Sequence, residues 1–299
     1  MNKNCAVLLA TYNGEKYVEE QIKSILSQKE VNITIFVSDD SSTDNTLQLI
    51  KELNSNNIII LPKINRMGSA AQNFFRLFKD IDLTKYDYIS LSDQDDIWFD
   101  DKLIRAINKI KNKTLSGYSS NVIAFWEDGR ELLIDKSQKE TKWDYLFASA
   151  GPGCTIVLPI NIALLFKELI KSKSELISKI NIHHDWLIYA FVRSKNLNWW
   201  VDPIPSMMYR QHDNNEVGAN RGYKAILYRF KKARNGWYGK EIVRIAKICN
   251  QLEALPIKYL LSNSYIDKFR LMINVFSLRR KKNEAIALIL MIMIPGFKK

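Results

Sequence analysis

Apolar residues along the first hundred positions change their spacing in a regular cycle. Cys5 to Ala10 is a continuous apolar run bounded by polar residues, the pattern of a buried strand. A turn at Asn13 and Gly14 follows, and Val18, Ile22, Ile25 and Leu26 then recur at helical spacing. The cycle repeats with Ile33 to Val37 as a strand, SDDSSTDNT as a polar turn, and Leu47, Ile50 and Leu53 on one helix face. Ile58 to Leu61 reads as a third strand and leads through KINRMGSAAQNF into another helix. Tyr86, Tyr88, Ile89 and Leu91 alternate with polar residues as a fourth, and a helix starts near Asp100. Strand and helix alternating through Trp98 predict an α/β fold, an open parallel sheet with covering helices. Such sheets bind ligands at the carboxyl ends of their strands. The loops starting at Thr11, Asp39, Pro62 and Ser92 therefore share one rim.

The fourth strand runs into LSDQDDIW, residues 91–98, with three carboxylates at Asp93, Asp95 and Asp96. Side chains at i and i+2 share a strand face, so Asp93 and Asp95 converge if extended geometry persists. Convergent carboxylates repel unless a cation sits between them, and Mg²⁺ or Mn²⁺ would do so while bridging to phosphates. The alternative is an acidic turn whose aspartates cap the following helix.

Charge divides the chain. Residues 1–219 hold 26 Lys and Arg against 28 Asp and Glu, a net −2, and residues 220–299 hold 18 against 4, a net +14. The basic part reads as helices interrupted near Asn235–Gly236, with Tyr223, Tyr228, Phe230, Trp237 and Tyr238 among the cations. RRKK at 279–282 precedes the apolar run AIALILMIMI at 285–294. Ten residues are too few to span a bilayer as a helix, which needs about 20. The run either lies at an anionic membrane surface or packs on the body with a solvated basic face. No nucleic-acid motif accompanies the charge, so a nucleic-acid partner is not expected. Cys5, Cys154 and Cys249 are widely spaced, match no zinc pattern and suggest a reducing compartment. The apolar stretch near the start is too short for the core of a signal peptide. Walker and Rossmann glycine motifs are missing.

Seven segments in order resemble the family 2 glycosyltransferases of GT-A fold: ATYNG at 10–14, SDDSSTDNT at 38–46, NRMGSAAQNF at 65–74, SDQDDIW at 92–98, GPGCTIVLP at 151–159, HHDWLIY at 183–189 and YRQHDNNEVGA at 209–219. The resemblance covers about residues 5–220. DQDDIW together with YRQHxNNxxG is most similar to bacterial rhamnosyltransferases of surface-polysaccharide synthesis. It implies a Rossmann-like, mostly parallel sheet flanked by helices, as a catalytic unit at residues 1–220 and a helical basic region at 221–299.

The resemblance also implies roles. Thr11, Tyr12 and Asp40 hold the base and ribose of a nucleotide sugar, the carboxylate accepting a pyrimidine N3–H. For Asp39 and Asp40 the alternative is helix capping, as it is for Asp44. Asp93 sits nearest ribose and metal, Asp95 binds the divalent cation, Mn²⁺ or Mg²⁺, and His212 is a further ligand. Arg210 either reaches a phosphate or pairs with a rim aspartate. Asp185 is the catalytic base, with helix N-cap as its alternative role. His183 and His184 tune it or touch the acceptor. Trp98 and Trp186 are sugar platforms or simply core. Gly68 allows a tight turn, and Asn65 and Asn73 support that loop or the donor.

The expected activity is metal-dependent, inverting transfer of a sugar, rhamnose from dTDP-rhamnose, onto a lipid-linked glycan. The expected place is the cytoplasm, peripheral to the inner face of the cell membrane. The alternatives are a UDP-hexose or UDP-N-acetylhexosamine donor, or a non-catalytic nucleotide-sugar or glycan-binding protein.

Overall fold

The structure is a computed structural model that describes residues 3–178, 183–212, 235–294 and 297. The expected elements at 213–234, including DNNEVGA and Tyr223, Tyr228 and Phe230, lie outside the described residues.

A seven-stranded sheet carries the chain. Its strands are β1 (Lys3–Thr11), β2 (Val31–Asp39), β3 (Ile58–Ile60), β4 (Tyr88–Ser92), β6 (Gly117–Ser120), β9 (Val157–Pro159) and β10 (Trp199–Asp202), in the order β10-β6-β9-β4-β1-β2-β3. Strands β1 to β4 form the parallel set the sequence predicts. The apolar run of β1 is buried throughout, as is β4 beside it. Helices α1 (Val18–Leu26), α2 (Thr46–Glu52), α3 (Ala70–Asp80) and α4 (Lys102–Lys113) fall where the 3.6-residue spacing places them. Ser69 caps α3 by accepting the Gln72 N–H at 3.3 Å. A small second sheet joins β5 (Ile97–Trp98), β11 (Met207–Arg210), β7 (Val122–Phe125) and β8 (Glu131–Ile134).

The sheet is mixed rather than uniformly parallel, because β9 runs antiparallel to both β4 and β6. Running against β4, β9 begins where β4 ends. The residues just before it therefore land on the rim where the parallel strands deliver their loops.

The division at residue 220 does not separate two cores. Ile242, Ile245, Leu271, Leu288 and Ile292 belong to the same buried cluster as Phe74, Phe78 and Phe166. The segment RRKK is largely not a solvated patch. The Arg280 side chain is 6% exposed, with its guanidinium on the carbonyls of Lys136 (3.0 Å), Ser149 (2.7 Å) and Ala150 (2.9 Å) and 3.4 Å from Asp144. Arg279 pairs with Glu284 at 3.5 Å. The apolar run forms most of helix Lys282–Met293 and packs on the body through one face: Ala285, Leu288 and Ile292 are buried while Ile286, Leu290 and Met293 are exposed. Among the described residues no helix is long and apolar enough to cross a membrane.

Candidate active site

The ends of β1 and β2 lie in register, Thr11 opposite Asp39. Thr11 Oγ1 donates to Asp39 Oδ1 at 3.0 Å, and the Ser42 N–H to Asp39 Oδ2 at 2.8 Å. Asp39 therefore closes its own turn. Asp44 accepts the N–H of Thr46 at 3.0 Å, at the start of α2. Asp40 holds the third loop, accepting the backbone N–H groups of Met67 and of Gly68 (2.9 Å). Gly68 has φ +82°, a left-handed turn that glycine adopts without steric cost. Asn73 is buried and donates to the carbonyls of Thr11 (3.3 Å) and Ser38 (2.8 Å), tying both strand ends together. Asn65 is exposed. The Arg66 guanidinium lies 4.3 Å over the Tyr12 ring.

Extended geometry does not persist into the acidic loop. Strand β4 ends at Ser92 and the chain bends at Gln94 and Asp95. The bend is held by the Gln94 amide, which accepts the Tyr12 N–H at 2.8 Å and donates to the Tyr12 carbonyl at 3.0 Å. A Cβ on Gly14 would stand 2.3 Å from Gln94 Oε1, so this close approach needs glycine. From the far end of the sequence β11 brings His212, whose Nε2 lies 2.9 Å from Asp95 Oδ2. The Tyr17 ring stacks on that imidazole, centroids 5.1 Å apart.

Asp96 does other work. It is buried, and its Oδ1 accepts the Arg210 N–H at 3.1 Å, fastening the loop to β11. Burial, and then the charges of Asp95 and Asp93, push its carboxyl well above the usual range. Among the described residues the ligand atoms of Asp93, Asp96 and Cys154 also lie within 4.8 Å of one another. Burial keeps the Cys154 thiol protonated, far above its ordinary value. Of the three expected metal ligands the structure thus brings Asp95 and His212 together, while Asp93 lies with Asp96 and Cys154.

The antiparallel strand β9 supplies the opposite wall. The Leu91 N–H donates to the Ile156 carbonyl at 3.1 Å, which sets the 3₁₀ turn Gly153–Thr155 beside the acidic loop. Cys154 in that turn faces Asp93 and Asp96. Gly153 faces helix α8 (His184–Ser194): a Cβ there would stand 2.2 Å from His184 Nε2. Three residues thus join the acidic loop to the start of α8, where Asp185 sits in the first turn. Asp185 is not the N-cap; His183 is, without a side-chain cap bond. Asp185 Oδ1 is buried and has no hydrogen-bond partner among the described residues. Buried polar oxygens are almost always bonded, and leaving one unpaired costs about 1–3 kcal/mol. An oxygen left in that condition at a strand-end rim is available to accept a proton.

Four of the expected site residues have the following surroundings. His184 packs on Phe74 with ring centroids 4.0 Å apart, and burial lowers its imidazole to about 4, so it is a neutral packing residue. Trp186 is buried, donates its indole N–H to the Tyr145 carbonyl at 2.9 Å and stacks on Tyr238. Trp98 is buried beneath Lys102, whose Nζ lies 3.1 Å from its ring and donates to the Cys154 carbonyl at 2.8 Å. None of the three presents a face to a sugar. The Arg210 guanidinium pairs with Glu20 at 2.5 Å, donates from Nε to the Asp95 carbonyl at 2.9 Å, and lies between Tyr17 and Phe125. Gln94, Tyr17 and the Gly153–Thr155 turn were not foreseen as site residues. Gln94 and the turn lie inside the segments SDQDDIW and GPGCTIVLP, which gave them a signal without a role, and Tyr17 had none.

The description "Glycosyl transferase family 2" matches residues 6–161. The chain is 46% identical over 292 residues to the dTDP-rhamnosyl transferase RfbG of Shigella flexneri, covering 97% of this chain and 100% of that one. It is 28% identical to the UDP-Glc:alpha-D-GlcNAc-diphosphoundecaprenol beta-1,3-glucosyltransferase WfgD of Escherichia coli, over 76% of this chain and 78% of that one. Among solved structures it is similar in fold to S. aureus TarS 1–349 in complex with UDP-GlcNAc (TM-score 0.56, 17% identity, 96% of this chain and 79% of that one). It is likewise similar to the mannosyltransferase PcManGT from Pyrobaculum calidifontis in complex with GDP-Man and Mn²⁺ (TM-score 0.53, 13% identity, 98% and 84%). A rim of aspartates at parallel strand ends, a GT-A-like sheet and 46% identity along nearly the whole chain to a rhamnosyltransferase agree: the chain belongs to glycosyl transferase family 2 and is a glycosyltransferase.

Proposed function

We propose that the protein transfers rhamnose from a dTDP-linked donor, with inversion, onto a lipid-linked glycan at the inner face of the cell membrane. The donor follows from the Shigella relative's name and its full-length match. The acceptor class follows from the E. coli relative, named for a diphosphoundecaprenol-linked sugar.

The observation that carries the chemistry is the unpartnered Asp185 Oδ1, one three-residue turn from the acidic loop. Asp185 takes the proton of the acceptor hydroxyl as its oxygen attacks the anomeric carbon, and the nucleoside diphosphate leaves from the opposite face. Tyr12 and Thr11 line the donor side, and Asp40, with its two oxygens on the N–H groups of Met67 and Gly68, holds the loop that borders it. Asp93, Asp95 and His212 are chemically suited to hold Mn²⁺ or Mg²⁺, which when bound supplies positive charge to the leaving diphosphate. Tyr17 and Gln94 orient this set, and Asp96 anchors it.

Incubation with dTDP-rhamnose, UDP-glucose and UDP-N-acetylglucosamine in Mn²⁺, read by thermal shift and by donor turnover, tests the reading. Stabilisation and turnover with dTDP-rhamnose alone are expected. Preference for a UDP sugar overturns the donor assignment. Donor binding with no transfer and no slow hydrolysis points to a binding protein.

A further inference from the structure

Helix Tyr265–Ile273 is built inside out. It buries one side chain fully, Leu271, and exposes Tyr265 (89%), Ile266 (65%), Phe269 (59%) and Ile273 (60%). At roughly 100° per residue these four side chains fall within about 100° of arc. Lys268 and Arg270 flank that arc, one on each side, and Leu271 lies behind it. The stripe is widened by the helix packed beside it, Lys282–Met293, which exposes Ile286, Leu290 and Met293 at i, i+4 and i+7. Phe276 is exposed between the two helices. Isolated surface apolar residues are ordinary, but a contiguous stripe on adjoining helices marks an interaction surface.

Charge identifies the partner. The whole basic region holds 18 Lys and Arg against 4 Asp and Glu. On the stripe's own helix the one acid, Asp267, is half-buried and paired with Arg270 at 2.9 Å. A second copy would set cations against cations, because an isologous contact repeats the same patch on both sides. An apolar arc between cationic flanks is the layout of a helix lying in a lipid headgroup layer.

We propose that the face formed by Tyr265, Ile266, Phe269 and Ile273, extended by Ile286 and Leu290, docks on an anionic lipid bilayer. This deepens the lipid-linked-acceptor reading and rests on it only for its purpose. It also extends the expected contact from the apolar run at 285–294 to the neighbouring helix Tyr265–Ile273, while the two arginines of RRKK are engaged with the body.

The test is co-sedimentation of the full chain with acceptor-free vesicles of phosphatidylglycerol in phosphatidylcholine, and of phosphatidylcholine alone. Binding to the anionic vesicles, weakening with salt, is expected. The variant Phe269→Glu/Ile273→Glu should lose about tenfold or more in vesicle affinity per side chain. Its melting temperature and its turnover on a short soluble acceptor should match the parent, since both side chains are exposed. A parent that ignores anionic vesicles, or a variant that binds as well as the parent, overturns the proposal. So does a parent dimer in light scattering that the variant dissociates, which would assign the face to a second copy. Donor choice is read on the soluble acceptor in the same preparations, so a wrong donor and a wrong docking face give separable results.

Discussion

The aspartates of the donor loops and the aspartate of α8 are the same residue type under opposite conditions. Asp39 and Asp40 have both carboxylate oxygens bonded within the chain and hold loops in place. Asp185 stands at the other wall with a buried oxygen that no described residue satisfies. A carboxylate whose hydrogen bonds are spent on the chain positions the site. One whose oxygen is left over is available to substrate. Where the hydrogen bonds go, rather than where the acids are, separates the two kinds of work.

The largest effect should come from the centre of the donor wall. Chelation with EDTA should abolish turnover, and Mn²⁺ or Mg²⁺ should restore it. Asp95→Asn should lower kcat/KM by about 10³-fold or more, since it removes a charge from the ion's site with almost no change of shape. Full activity of this variant in chelator would contradict the donor-wall assignment.

Next in size is a stability contrast. Asp40→Ala leaves two N–H donors of the third loop without their acceptor and should cost about 1–3 kcal/mol in urea unfolding. Asp185→Asn keeps the shape of a side chain whose Oδ1 has no partner among the described residues and should stay within about 0.5 kcal/mol of the parent. Equal losses in both would erase the distinction between positioning and chemical carboxylates.

Gly153→Ala tests the turn that joins the two walls. Its Cβ would stand 2.2 Å from His184 Nε2, so His184 and the start of α8 must shift. A cost of about 1–3 kcal/mol and a lowered kcat are expected, with donor affinity nearly kept. A variant with parental stability and kcat would show that the turn does not set the position of Asp185.

The smallest effect concerns pH. His184 is lowered from 6.5 to about 4 in the folded chain, so below pH 6.5 the unfolded chain binds the extra proton. This residue's contribution to stability should therefore fall on acidification between about pH 6.5 and 4, on the order of 1 kcal/mol per pH unit. Urea midpoints of the parent and of His184→Asn across that window read it, and the same acid slope in both would remove His184 as the cause.

Much of this was legible in sequence. The strand–helix cycle of residues 5–98 needed only periodicity, because β1 to β4 are buried or half-buried runs flanked by polar turns. Gly68, Asp95 and His212 fell where the motifs placed them, and the pairing of Asp95 with His212 joins segments 117 residues apart. What was not legible depended on direction and depth. Nothing in GPGCTIVLP says that β9 runs backwards, yet that reversal brings Cys154 and Gly153 to the rim. For Trp98 and Trp186 sequence leaves platform and core both open, because it gives aromaticity but not burial. Arg279 and Arg280 looked like a solvated patch because sequence gives charge but not the carbonyls that receive it.

The central claim is that Asp185 removes the acceptor proton and does not hold the donor. Asp185→Asn measured two ways tests it most directly, by single-turnover transfer and by calorimetric titration of donor with Mn²⁺. The account predicts a rate lower by about 10²–10⁴ with an unchanged donor dissociation constant. A rate near that of the parent, or a loss of donor binding that matches the loss of rate, would contradict it.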